Sequence, residues 1–156
     1  MLQRAMRYLG AGALLGVGAV HLQQYIGADY QVIPTIGTLF LLNAIASGIV
    51  GSALILPLER GLGSRRGDAA VGLLAVIAVT IAVGSLVALF ISETSSLFGF
   101  TESGYRTAIV LAILAEAATV VLLGPVAAIS LKRALSPQRE PTPRGVIQGS
   151  PQPRVY

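Results

Sequence analysis

A carboxylate inside an apolar run needs a chemical account before anything else in this chain. Glu116 stands near the middle of the run from about 105 to 131. An ionised carboxylate at that depth in a bilayer costs about 2.5–3.5 kcal/mol on insertion scales, so it must be protonated, paired or close to water. No Lys or Arg of this chain falls at its depth, so a cationic partner would come from another subunit or from a substrate. Read for function, Glu116 is a proton-carrying or ligand-binding carboxyl. Read for structure alone, it is a neutral acid hydrogen-bonded to a neighbouring helix.

Three further polar residues fall in or beside apolar runs. Asn43 lies about two turns into the second run, where an amide can bridge helices for about 0.6–2 kcal/mol. His21, the only histidine, and Tyr25 are four residues apart and share one helix face near the end of the first run. An imidazole there can exchange protons near neutral pH. Counted along the runs, His21 is about one turn deep and Glu116 about three, so a direct bond between them would need tilt, a re-entrant loop or water. The interfacial alternative reads His21, Tyr25 and Tyr30 as amphipathic anchors at headgroup level. Thr80 and Ser85 can return their hydroxyls to their own backbone and need no functional account.

One histidine is not a metal site, and Met1 and Met6 are at the wrong end to complete one. Zero cysteines exclude thiolate metal sites, iron–sulfur clusters and disulfides. No GxGxxG, P-loop or HExxH pattern occurs. No cofactor and no catalytic residue is expected, and the balance of motifs is against an enzyme.

The elements that must position these groups follow from composition. Of 156 residues, 54% are apolar and 12% are charged, against about a quarter charged in a soluble domain. That deficit requires lipid in place of water. Four runs, about 5–26, 36–58, 69–91 and 105–131, reach the roughly 20 residues that a bilayer crossing takes. Gly27 can end the first helix in a left-handed cap, Thr35 can open the second behind Pro34, Asp68 can cap the third, and Ser103 or Thr101 can open the fourth. The predicted fold is all-α: an integral membrane, antiparallel four-helix bundle over residues 1–135.

Arg4, Arg7, Arg60, Arg65, Arg66, Lys132, Arg133, Arg139, Arg144 and Arg154 would share one face, leaving Arg106 alone with Asp29, Glu93 and Glu102 on the other. The positive-inside rule makes the first face cytoplasmic, with both termini on it. The net charge of +4 is therefore a topology signal, and no basic-aromatic pattern points to nucleic acid. MLQRAMR followed by YLGAGALLGVGA also fits the n- and h-regions of a secretory signal, with Val17-Gly18-Ala19 as a cleavage site. The apolar run continues through Val20, Leu22 and Ile26, which favours a retained helix. Residues 136–156 carry five of the eight prolines and little to bury, and read as a disordered cytoplasmic tail.

Lipid gives helices no hydrophobic reason to associate, so small residues should mark their contact faces. These are Gly12 and Gly16 in span one; Ala44, Gly48 and Ser52 in span two, with Ser47 and Gly51 beside them; Gly72, Ala75, Ala78 and Ala82 in span three; and Ala108, Ala112 and Ala115 in span four. The same faces could hold a second membrane protein or a second copy.

The segment HLQQYIGADYQVIPTIGTLFLLNAIA, from His21 to Ala46, carries a His-x-x-x-Tyr at the end of helix one and an Ile-Pro-Thr-Ile-Gly-x-Leu-Phe-Leu-Leu-Asn opening of helix two. It resembles small actinobacterial four-helix membrane proteins of unassigned function, with a more distant similarity to DoxX-like proteins. The resemblance implies a bacterial cytoplasmic membrane and transfers no catalytic residue. Three functional expectations stand together: an accessory or structural subunit of a larger membrane assembly, a binder of a lipophilic or protonatable, quinone-like ligand, or a small transporter component.

Overall fold

A computed structural model of the chain describes residues 1–101 and 106–136. Five helices carry the fold: α1 (Leu2–Gly27), α2 (Ile36–Ile55), α3 (Leu58–Leu62), α4 (Ser64–Thr94) and α5 (Thr107–Leu135). A 3-10 turn at Tyr30–Val32 links α1 to α2. Four of the helices, α1, α2, α4 and α5, are long and apolar enough to cross a membrane, while α3 is a single short turn between α2 and α4. The four form an antiparallel bundle. α1 packs on α2 and α5, α4 packs on α5, and α2 and α4 meet along a shorter seam. The start of α1 and the end of α5 lie together, joined by Gln3 Nε2 donating to Ser130 Oγ over 3.0 Å.

The burial pattern is that of lipid-facing helices. Leu42, Ile45 and Ile49 of α2, Leu73, Val83, Val87 and Phe90 of α4, and Leu114 and Val121 of α5 are exposed. Small residues face inward, among them Ala75, Ala78 and Ala82 of α4. A helix that is apolar all round has lipid outside and close backbone contact inside. The contacts sit where the backbone comes nearest. A Cβ on Gly18 would stand 3.2 Å from the Ala44 carbonyl oxygen and 3.6 Å from the Gly48 nitrogen, and one on Gly51 3.3 Å from the Ala11 oxygen. Gly16 meets Ala115. Gly12 and Ser52, by contrast, face outward. The heptad stripe Arg7, Leu14, His21 and the parallel stripe Gly10, Val17, Gln24 fill the inner face of α1, which rotates Gly12 away.

The packing differs along the bundle axis. In the half nearest the termini, Ala11, Leu14, Val50, Leu54, Val71, Ala75, Ala78, Leu123 and Val126 form a closed apolar core. Arg7 seals that end. It is buried, its Nε donates to Leu54 O at 2.7 Å, its other guanidinium nitrogens donate to Leu56 O and pair with Glu59 at 2.5 Å. The Leu54 carbonyl in the last turn of α2, which has no partner within the helix, is thereby satisfied by a side chain of α1. Arg65 does the same for α5, donating to Ala134 O at 2.8 Å.

Several helix ends depart from the sequence reading. α1 ends at Gly27, but the left-handed residue is Asp29 (φ 58°), two positions later. Thr35 precedes α2 without a side-chain capping bond, at φ 67°. α2 stops at Ile55 rather than near 58, because Pro57 and α3 intervene. α4 begins at Ser64, five residues before the apolar run, so Asp68 lies inside the helix and Gly63 takes the cap position. α5 starts at Thr107 behind Arg106, so Thr101 does not open it. Glu102, Ser103, Tyr105 and the tail from residue 137, with Arg139, Arg144 and Arg154, lie outside the described residues.

Candidate functional site

In the half of the bundle away from the termini, the helices enclose a cavity of about 260 Å³. Its walls come from all four long helices: His21 and Gln24 of α1, Phe40 and Asn43 of α2, Ser85 and Ser92 of α4, and Ala108, Ala112 and Glu116 of α5. Of the residues that the sequence nominated, Glu116, Asn43 and His21 converge on it, as do Ala108 and Ala112. Tyr25 does not: the inner face of α1 runs from His21 to Gln24, leaving Tyr25 half-buried at the edge.

Glu116 forms the deep end. It is 1% exposed, and neither carboxylate oxygen has a hydrogen-bond partner. Ser85 is the hydroxyl beside it, without a closed bond between them. That hydroxyl is engaged elsewhere: Ser85 Oγ is 3.1 Å from His21 Nε2. The ring's Nδ1 is 2.9 Å from the Val17 carbonyl oxygen. A carbonyl only accepts, so Nδ1 carries a hydrogen; in the neutral ring Nε2 is then the acceptor and Ser85 the donor. The serine oxygen keeps lone pairs free toward Glu116. Hydroxyl and imidazole are thus hydrogen-bonded at the wall of the cavity that the carboxyl closes.

The apparent depth gap between His21 and Glu116 closes through side-chain direction. Helical side chains lean toward their own N-terminus. α1 runs toward the cavity end and α5 runs away from it, so His21 leans inward and Glu116 leans outward. Ser85 neighbours both instead of bonding its own backbone, as Thr80 does to Val76 O at 3.0 Å. Asn43 Oδ1 accepts from Ser47 at 3.0 Å, which orients its amide nitrogen as a donor at the cavity wall.

Aromatic rings roof the cavity. The left-handed Asp29 turns the chain so that Tyr30 folds back over the bundle, where it is buried. Its ring stacks on Phe40 at 4.8 Å between centroids and meets Phe100 edge-on at 5.6 Å. Phe40 in turn lies 5.0 Å from the His21 ring. Arg106 donates to the Tyr30 hydroxyl. Tyr30 is therefore a roof and not the headgroup anchor that its position suggested. The fold fits this turn tightly: a Cβ on Gly37 would lie 2.5 Å from the Tyr30 carbonyl oxygen, so only glycine lets the 3-10 turn rest on the first turn of α2.

Among the described residues, no group of three or more His, Asp or Glu side chains gathers in a way that could hold a metal ion. Comparison with protein-family models, with curated proteins and with solved structures finds no match. The chain's architecture therefore rests on its own geometry: a small four-helix bundle with the helices of a multi-pass membrane protein.

Proposed function

We propose that this protein binds a lipophilic, protonatable molecule of the quinone class in the cavity between Glu116 and Tyr30. One observation carries the reading. Glu116 is buried with both oxygens unpartnered, at the end of a mostly apolar, aromatic-walled cavity. Leaving a buried polar group unsatisfied costs about 1–3 kcal/mol, a cost that a site with no ligand has no reason to carry. The polar groups are few and convergent, as in small-molecule sites generally. The carboxylic acid offers a donor, Asn43 offers a second, and Phe40, Tyr30 and Phe100 offer ring faces for a planar head. Ser85 and His21 give a proton on Glu116 somewhere to go.

Orientation and place belong to the same proposal. The clustering of basic residues around Arg4, Arg60, Arg65 and Lys132 supports an orientation with both termini on the cytoplasmic side. The cavity then lies in the outer half of the bilayer.

The experiment is a titration of the purified protein with decylubiquinone in mild detergent, followed calorimetrically. Saturable binding that Glu116→Leu weakens about 3- to 10-fold, the worth of one hydrogen bond, supports the reading. Equal binding by both proteins sinks it.

An accessory role in a larger assembly is the second reading. Ala5, Gly12 and Ala19 lie exposed at seven-residue spacing on the outer face of α1, and a side chain on Gly12 would meet nothing within 4 Å. Such a face lets another helix approach closely. Native mass spectrometry after gentle extraction tests it, and recovery as a monomer alone counts against it.

A further inference from the structure

The cavity has a side door. Of the residues that line it, two are exposed at the molecular surface: Leu39 on α2, 41% exposed, and Gly84 on α4. Their two helices, α2 and α4, are neighbours that meet along the shorter seam of the bundle. In the other half of the bundle, Val50 and Leu54 of α2 and Val71, Ala75 and Ala78 of α4 are all buried in the closed apolar core. Toward the cavity end, α4 lines the cavity with Gly84, Ser85, Ala88, Leu89 and Ser92, all of them small except Leu89. A Cβ on Gly84 would meet nothing within 4 Å, so the missing side chain leaves a gap and not a contact. Counted at 1.5 Å per residue, Leu39 is about 5 Å and Gly84 about 15 Å from the ends of their helices. The gap thus opens within the apolar length of both helices. The route from the loops is roofed by Tyr30 and Phe100.

We infer that the ligand enters sideways from the hydrocarbon of the membrane, between α2 and α4, and that it keeps its tail in that gap while its head reaches Asn43 and Glu116. This rests on the ligand-binding reading above and narrows it to a molecule dissolved in lipid. The cavity volume agrees. At about 260 Å³ it falls below the range of about 300–1,000 Å³ usual for sites that swallow a drug-sized ligand. It holds one ring system, and a longer chain must stay outside.

The absence of cysteine makes the route testable without any ligand. Ala112 lines the cavity on α5. In proteoliposomes, Ala112→Cys is treated with a lipid-soluble maleimide or with a sulfonated, membrane-impermeant one added to both sides. The lipid-soluble reagent is expected to react at least tenfold faster. Adding Gly84→Trp, or separately Leu39→Trp, is expected to slow that reaction at least fivefold. Val87→Trp, exposed on α4 but away from the cavity, is expected to leave it unchanged. Circular dichroism checks that each variant remains helical. Faster reaction with the impermeant reagent, no effect of either plug, or no reaction with either reagent overturns the side entrance. None of these results depends on decylubiquinone, so a failed entrance and a failed ligand assignment remain distinguishable.

Discussion

The imidazole of His21 and the carboxyl of Glu116 both neighbour a single hydroxyl, that of Ser85. Its Oγ is 3.1 Å from His21 Nε2, and Glu116 lies beside it without a closed bond. The three groups therefore have one fixed link and one open link, and the open link ends at the cavity where a ligand would complete it.

Removing that hydroxyl should be visible at both of its neighbours. Ser85→Ala is expected to shift the carboxyl C=O stretch of Glu116 in infrared difference spectra and to loosen the His21 ring. Thr80→Ala, whose hydroxyl bonds only Val76 O, is expected to shift neither. A Glu116 band untouched by Ser85→Ala would mean that the two side chains do not communicate.

The unpartnered acid should also set stability against binding. Replacing Glu116 by Leu removes a buried polar group and keeps the volume roughly constant. The variant is expected to gain about 1–3 kcal/mol against unfolding in mixed micelles while binding decylubiquinone more weakly. A loss of stability instead would reveal that the carboxyl is satisfied within the fold.

Arg7 gives the opposite case. Its guanidinium holds Leu54 O, Leu56 O and Glu59 at once. Arg7→Ala is expected to cost at least about 1.5–3 kcal/mol, the worth of one hydrogen bond to a charged group. Arg7→Lys is expected to recover little, since an ammonium lacks the planar fork that spans the three acceptors. Equal stability of Arg7→Lys and the parent chain in the same micelle assay would refute this.

Glycine to alanine exchanges should divide by position. Gly37→Ala is expected to cost about 1–3 kcal/mol by overpacking against Tyr30 O, 2.5 Å from its Cβ. It should also disturb the Tyr30–Phe40 stack, detectable in near-ultraviolet circular dichroism. Gly12→Ala, on an open helix surface, is expected to stabilise by about 0.5–1 kcal/mol. The order of the two melting temperatures checks both statements.

Much of the fold was legible because a bilayer crossing demands a minimum apolar length and because lipid forbids scattered charge. The four spans, their antiparallel order and the inward small stripe of α4 follow from that alone. Helix ends were harder. Asp29 rather than Gly27 takes the left-handed position, and α4 gains five residues before its apolar run, because ends answer to local packing that hydropathy does not record. The site was half legible. Glu116 and Asn43 announce themselves as polar residues in lipid, and His21 as a lone titratable ring. Ser85 did not, since a serine in a helix has a bond available in its own backbone, and only the opposed lean of His21 and Glu116 brings it into use. Tyr25 was chosen over Gln24 by a four-residue spacing, where the inner stripe of α1 takes the three-residue step. Sequence distance alone puts Tyr30 with the headgroups; the left-handed turn at Asp29 folds it back over the bundle.

Arg7 has a consequence for how the protein is made. Every acceptor its guanidinium uses lies between Leu54 and Glu59, so its full set of bonds becomes available once the first sixty or so residues have left the ribosome. Synthesis of the first hairpin thus ends with its own latch, before either wall supplied by α4 and α5 exists. The carboxyl of Glu116 arrives last, into a hairpin already locked, and the cavity takes shape around it as the final helix docks.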